Sequence, residues 1–448
     1  MARKFITFLF LVFFLALYSA RAGAQTDSAS VAPSTPPAAP LRNLTLDETI
    51  RTALARHPSL RRAQEEILAA EARTEQARSG YFPQITTSGF AKQGLAGAAG
   101  ALGLRGLVTS PFFNNIGVSM AALQNLYDFG RTKHAVRANK WAAVSLNHTL
   151  EAHRALVALN VQQAYYTALQ QQRLVRASAR ILTDRQLIVR QAAAFYRAEI
   201  KSKVDLTLAE VGASNANLEL VEARDRLRTA FAELNYAMGI EGEPEYLLEE
   251  PGITITAAPA LAPLVAEGQQ ERHELLAFDA QIKADQEFVI RAEKDKWPKL
   301  LFLFSSGWVR FSDYSPGKLM LGAFGVDLPI FDGGRIEAQI AESKARLAET
   351  RAARDELAQN IRFQTQRAYN ELLSSIESVR ANERLIVQAR EALRLANVRY
   401  RVQVGSFVEL TSAEAAASSA EAQYAQALYK YKMAEAMLNY AAGRSVNP

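Results

Sequence analysis

The side chains with chemistry to offer in this sequence are carboxylates, hydroxyls and imidazoles. There is no cysteine, so no thiolate ligand, nucleophilic thiol or disulfide enters the reading. The five histidines, His57, His134, His148, His153 and His273, nowhere show the i, i+3 or i, i+4 spacing of a helical metal pair. No glycine-rich phosphate loop and no nucleophile elbow is present. The sequence therefore predicts no enzyme, no cofactor and no metal site. What remains are short carboxylate motifs, each written twice. "LYDFGRTK" and "IFDGGRIE" carry Asp128 with Gly130 and Asp332 with Gly333 and Gly334. An aspartate where a strand becomes a helix accepts from the first free N–H groups, and the glycines relieve the change of direction. Ser202 with Asp205, and Ser406 with Glu409, have the spacing of capping boxes. The chemistry on offer is capping and fixed charge.

The motifs recur because the sequence recurs. Asp128 and Asp332 are 204 residues apart (332 − 128 = 204), and the same offset carries Gln162, Tyr165 and Leu169 onto Gln366, Tyr369 and Leu373. It also carries Tyr196, Val204 and Glu210 onto Tyr400, Val408 and Glu414, and Asn235, Tyr236 and Gly239 onto Asn439, Tyr440 and Gly443. No insertion interrupts this register, which rigid elements preserve and loops do not. Upstream, "RHPSL" with "GYFPQI" resembles "RHELL" with "DKWPKL" at an offset nearer 216, so the length change falls between the proline and Asp-x-Gly-Arg.

Neither residues 131–211 nor residues 335–404 contain glycine or proline. They predict long helices at about 129–196 and 333–400, each roughly 100 Å at 1.5 Å per residue, with return helices at about 205–239 and 407–442. In the second copy Leu357, Ile361, Thr365, Ala368, Leu372, Ser375, Val379, Asn382, Ile386, Ala389, Leu393, Ala396 and Tyr400 form a coiled-coil seam. The first-copy seam, from Val157 and Val161 through Arg185 to Tyr196, is similarly mixed. Ahead of each long helix the period changes to two: "NIGVSMA" and "FGVDLPIF" read as strands, with partners in "PQITTSGFA" and "PKLLFLFSSGWVRF". The strands fall at about 82–93, 114–127, 298–311 and 319–331. The loops between partners are residues 92–115, expected on the exterior, and "SDYSPGK".

Residues 44–240 thus form a first structural repeat, 241–263 a linker and 264–443 a second repeat. Residues 1–24 read as a signal peptide, because Arg3 and Lys4 precede an apolar run too short to span and "SARAGAQ" offers cleavage after Ala24. Residues 25–43 read as a flexible leader. The net charge of +6 does not imply nucleic acid, since basic and acidic residues interleave in stretches such as "EARDRLR", as on a solvated helix face. Four amphipathic strands match the length of tilted barrel strands, yet four cannot close, and an open edge in lipid leaves backbone groups unsatisfied. Two chains give eight strands, whose interior side chains can fill; three give twelve, with room for passage.

In order and duplication, "LTLDETIRTALARHPSL", "YFPQI", "DFGR", "FDGGR", "YRVQVGSFVEL" and "NYAAG" resemble the TolC-type outer-membrane efflux proteins, over nearly the whole mature chain. The resemblance implies an α+β membrane protein of two repeats. Four transmembrane β-strands per chain join a homotrimeric twelve-stranded barrel, set in the outer membrane of a Gram-negative-type cell among outer-membrane lipid. The barrel continues into a long α-helical coiled-coil tunnel in the periplasm. It implies a passive duct for efflux or type I secretion, docked on a periplasmic adaptor (membrane fusion) protein and an inner-membrane pump of RND, ABC or MFS type. The turns become periplasmic tips, with Glu199, Ile200, Lys201, Ser202, Gln403, Val404, Gly405 and Ser406 as the adaptor-docking residues. Asp205, Glu409, Tyr400 and Ser412 become the gate. Glu409 matches a carboxylate that narrows the tunnel mouth, whereas Ser412 stands where a well-known member has a second acidic residue. The family often has glycine where this chain has Glu199 and Gln403. Many relatives carry an N-terminal lipid, which a chain without cysteine should lack. The alternative, an exported coiled-coil adhesin or periplasmic scaffold without a pore, needs long helices but not paired amphipathic strands.

Overall fold

Two helices of 67 residues, Arg131–Arg197 and Arg335–Arg401, set the scale of the molecule. The computed structural model describes residues 42–95, 112–242, 246–311, 314–402 and 404–444. The expected signal peptide, nearly all of the leader, most of the first loop and Gln403 lie outside these residues. The chain opens with β1 (Arg42–Leu44), α1 (Leu46–Arg56) and α2 (Pro58–Arg78). Thr45 and Glu48 close a capping box at the start of α1, and Pro58 occupies the first turn of α2, where a missing N–H costs nothing. Strands β2 (Gln84–Leu95) and β3 (Phe112–Tyr127) lead into α3 (Arg131–Arg197) and α4 (Lys203–Met238). After β4 (Tyr246–Leu248) come α5 (Leu261–Glu271), α6 (His273–Glu293), β5 (Lys299–Phe311) and β6 (Tyr314–Asp327). Helices α7 (Arg335–Arg401) and α8 (Phe407–Ala441) complete the chain. No helix among the described residues is long and apolar enough to cross a membrane.

The long helices do not stand alone. Helix α3 packs along α4, α6, α2 and α8, and α7 along α8 and α6. In α7 the seam positions from Ile361 to Tyr400 are buried, apart from half-buried Asn382 and Leu393. In α3 the seam is buried at Val157, Val161, Ala168 and Ala192 but exposed at its last position, Tyr196, while Ile188, outside the seam, is buried. The burial stripe has turned there to meet the second half of the chain.

Four strands form one antiparallel sheet in the order β2-β3-β5-β6. β2 and β3 pair from Gln84 opposite Leu123 to Leu95 opposite Phe112. β3 and β5 pair from Ile116 opposite Arg310 to Tyr127 opposite Leu300, with an irregularity between Asn125 and Tyr127. β5 and β6 pair from Lys299 opposite Asp327 to Phe311 opposite Tyr314. Two boundaries differ from the sequence reading. The expected loop "SDYSPGK" contributes residues 314–318 to β6, where Tyr314 already pairs with Phe311. The fourth strand stops at Asp327 rather than near 331, because β5 begins opposite it and offers nothing further to pair with. The sheet keeps large apolar residues outward, among them Ile85, Val118, Phe324 and Val326.

A second, two-stranded sheet was not legible in the sequence. β1 and β4 run parallel, with Leu44 opposite Leu248. Tyr165, fully buried in α3, holds them: its hydroxyl donates between the carbonyls of Leu44 (3.0 Å) and Glu249 (2.8 Å). Leu44, Tyr165, Leu234, Tyr246 and Leu248 share one apolar cluster.

Candidate functional site

The helical tips bring both halves of the chain together. Ile188 and Ala192 of α3, Ala209 of α4, Ala396 and Tyr400 of α7, and Phe407 and Leu410 of α8 form one buried cluster. Small residues let four helix ends approach, and aromatic rings fill what remains. Tyr400 meets Phe407 at 6.1 Å and Phe195 at 6.3 Å between ring centroids, in each case edge to face.

At the first tip α3 ends with Glu199 in the left-handed region at φ 58°. The N–H of Ile200 donates to the Phe195 carbonyl at 3.0 Å, and Ser202 then starts α4. The Ser202 hydroxyl accepts from the Asp205 N–H at 3.4 Å, while the Asp205 carboxylate accepts from the Ser202 N–H at 3.2 Å. This capping box is complete. At the second tip it is half made. The Ser406 hydroxyl accepts from the Glu409 N–H at 3.0 Å, but the Glu409 carboxylate turns to Arg399 Nε at 3.1 Å. A guanidinium in the last turn of α7 is a stronger partner than a backbone N–H that water can reach. Gly405 is needed here for close approach: a Cβ would lie 3.1 Å from the Arg399 Cβ and the Tyr400 nitrogen.

Of the expected gate residues, Asp205 lies in the first turn of α4, Glu409 and Ser412 in the first two turns of α8, and Tyr400 near the end of α7. Tyr400 is buried, and its hydroxyl has no hydrogen-bond partner among the described residues. Burial, and then the negative charge of Asp205, push its pKa up. Lys201 places its Nζ 5.9 Å from the same ring. Asp205 and Tyr400 are thus neighbours across the two halves, whereas Glu409 faces Arg399 and Ser412 is exposed on α8. No hydrogen bond or ion pair joins Asp205 to Glu409 among the described residues. Ile200 and Val404, expected at the docking surface, are exposed.

One pair near the tips was missed. Arg185 of α3 and Glu414 of α8 meet at 2.7 Å, with side chains only 16% and 12% exposed. The contact is ionic, without hydrogen-bond alignment. Burial pushes the Glu414 carboxyl up; Arg185 opposes this and Asp184 adds to it. The available signal was an arginine at a seam position, which needs a buried partner.

At the other end of the long helices the paired aspartates act alike. Asp128 accepts from the N–H groups of Gly130 (3.1 Å) and Thr132 (2.8 Å), and Asp332 from those of Gly334 (3.2 Å) and Ile336 (3.0 Å). Gly130, Gly333 and Gly334 all have positive φ. Phe129, where the second copy has Gly333, is also left-handed at φ 53°, and its ring packs 5.1 Å from Trp297 and 4.8 Å from Tyr127. No group of three or more acidic or imidazole side chains among the described residues could hold a metal ion.

The sequence matches the family model described as outer membrane efflux protein over residues 49–240 and 264–444. It is 25% identical over 412 residues to Protein CyaE of Bordetella pertussis, covering 85% of this chain and 80% of that one. Among solved structures, the outer-membrane channel OprN superposes with a TM-score of 0.75 at 17% identity, over 89% of each chain. The outer membrane protein VceC of Vibrio cholerae superposes with a TM-score of 0.73 at 18% identity, over 89% of this chain and 96% of that one. At these identities the two structures speak for the fold.

Proposed function

Because the chain belongs to the outer membrane efflux protein family, we propose that it is the outer-membrane exit duct of a tripartite efflux or type I secretion system. Three copies, four strands from each, close one twelve-stranded barrel. The segments 49–240 and 264–444 are two copies of one structural repeat, a reading supported by the twofold family match, the two 67-residue helices and the 204-residue register. The long helices build a periplasmic tunnel whose tips meet a periplasmic adaptor. That adaptor links the duct to an inner-membrane pump of RND, ABC or MFS type, which supplies the energy, so the duct itself is passive. The gate lies where Asp205, Glu409 and Ser412 ring the tunnel mouth, with Tyr400 buried behind them.

The observation that carries this reading is the open four-stranded sheet, with β2 and β6 at its two edges. In hydrocarbon each unpaired backbone group costs several kcal/mol, so both edges must find another copy. Mass measurement in detergent, paired with conductance in planar bilayers, tests it. A trimer that conducts is expected. A monodisperse monomer overturns the assembly, and a trimer without conductance favours a scaffold.

A further inference from the structure

We propose that residues 328–331 are the unfinished end of a strand, completed by residues 85–87 of the next copy in one fixed register. The inference rests on the assembly proposed above and adds which residue faces which. Inside the chain β3 outlasts β2, which begins with Gln84 opposite Leu123. The last residues of β3 are held by β5 instead, with Gln124 opposite Phe302, Asn125 opposite Leu301 and Tyr127 opposite Leu300. At the 204-residue offset this overhang corresponds to residues 328–331, and Phe331 to Tyr127 (331 − 127 = 204). In the single chain that segment follows the last pair of β6, Asp327 with Lys299, and has no strand beside it. Ile330 and Phe331 are 92% and 91% exposed. It is a strand end with its partner missing.

The partner follows from the same repeat. β2 corresponds to β5, since Phe82, Pro83 and Gln84 match Trp297, Pro298 and Lys299 (297 − 82 = 215). Ile85 on β2, and Phe82 just before it, are exposed. Paired residues of β3 and β5 sum to 426, as Val118 with Trp308 does. Transferring both offsets gives 426 + 204 − 215 = 415 for β6 against β2 of the next copy. Asp327 then lies opposite Ser88 and Leu328 opposite Thr87. Beyond the irregularity, Phe331 lies opposite Ile85, as Tyr127 lies opposite Leu300. Pro329 has no N–H, so this joint has one potential donor fewer than its internal counterpart. A lipid occupant would cover the side chains but leave the backbone groups of residues 328–331 unpaired; a second copy satisfies both.

The absence of cysteine makes the test direct. A disulfide needs Cβ atoms about 3.5–4.5 Å apart. Directly opposed residues approach that distance, above all in non-hydrogen-bonded pairs, whereas diagonal neighbours lie about 7–8 Å apart. The double variants Leu328→Cys/Thr87→Cys and Asp327→Cys/Ser88→Cys are adjacent in the ladder, so one of them is the closer type of pair. After mild oxidation in intact outer membranes, at least one should give covalent dimers and trimers, on the order of tenfold more than Leu328→Cys/Ile85→Cys or either single variant. Equal or greater crosslinking in the shifted pair overturns the register. No crosslinking in protein that is trimeric by mass overturns the joint but leaves the assembly standing, whereas a monomer by mass removes both.

Discussion

Phe129 and Glu199 are the two residues other than glycine described with left-handed backbones, and opposite outcomes are expected on replacing them. That conformation costs an L-residue roughly 1–2 kcal/mol, which glycine avoids while losing some chain entropy. Glu199 is exposed at the tip and has nothing to offset the strain, so Glu199→Gly should stabilise the turn by about 0.5–1 kcal/mol. Phe129 lies against Trp297 and Tyr127, contacts worth about 0.5–1.5 kcal/mol each beyond buried area. Phe129→Gly should therefore destabilise the junction despite relieving its backbone. Thermal unfolding of the two variants checks the opposite signs; a gain for both would mean that the aromatic contacts contribute little. Local capping was legible because its spacing is local, as at Ser202 and Asp205. Glu409 was not, because Arg399 competes for it from across the turn, and three-residue spacing carries no information about that rival.

At the scale of elements the long helices were legible from what their sequences lack. Uninterrupted stretches without glycine or proline became Arg131–Arg197 and Arg335–Arg401. Period-two patterns located the strands, but not where each ends, since an end depends on how far its neighbour reaches, as Lys299 does for Asp327. Contacts between the halves were not legible, because nothing in either helix alone says which face the other meets. The Arg185–Glu414 pair between α3 and α8 is such a contact, and it carries an asymmetric prediction. Burial outweighs Arg185 and raises the Glu414 pKa, so the folded protein holds that proton more readily than the unfolded chain. This group's contribution is full below the ordinary carboxylate pKa and is lost as pH rises through the raised folded value. Glu414→Gln should cost less than the loss of Arg185, because the amide oxygen can still accept from the guanidinium. Arg185→Gln leaves a buried carboxylate without its cation and should cost about 1–3 kcal/mol at neutral pH, with the penalty shrinking at acidic pH. Amide exchange along α8 at neutral and acidic pH measures it. Equal penalties at both would remove the electrostatic explanation.

For the whole molecule, three copies would gather three Asp205 and three Glu409 side chains at one tunnel mouth, each Glu409 partly offset by Arg399. Exposed charges are screened within about 10 Å at 0.1 M salt, so their effect belongs at low salt. Glu409→Gln, alone and with Asp205→Asn, should lower cation selectivity in planar bilayers, Arg399→Gln should raise it, and trimer yield should stay near normal. Unchanged selectivity in the double variant would leave both carboxylates a structural role only. The small parallel sheet has a different reach. β1 and β4 fasten residue 42 beside residue 246, so the first half of the chain is tied end to end. Of the buried residues in the cluster around that knot, only Tyr429 lies beyond residue 248. A chain that emerges N-terminus first therefore has nearly everything needed to fasten its first half before β5, β6, α7 or α8 exists. The connectivity therefore predicts that the β1–β4 tie forms ahead of the packing of α3 against α6 and α8, an order that pulsed amide exchange during refolding reads directly.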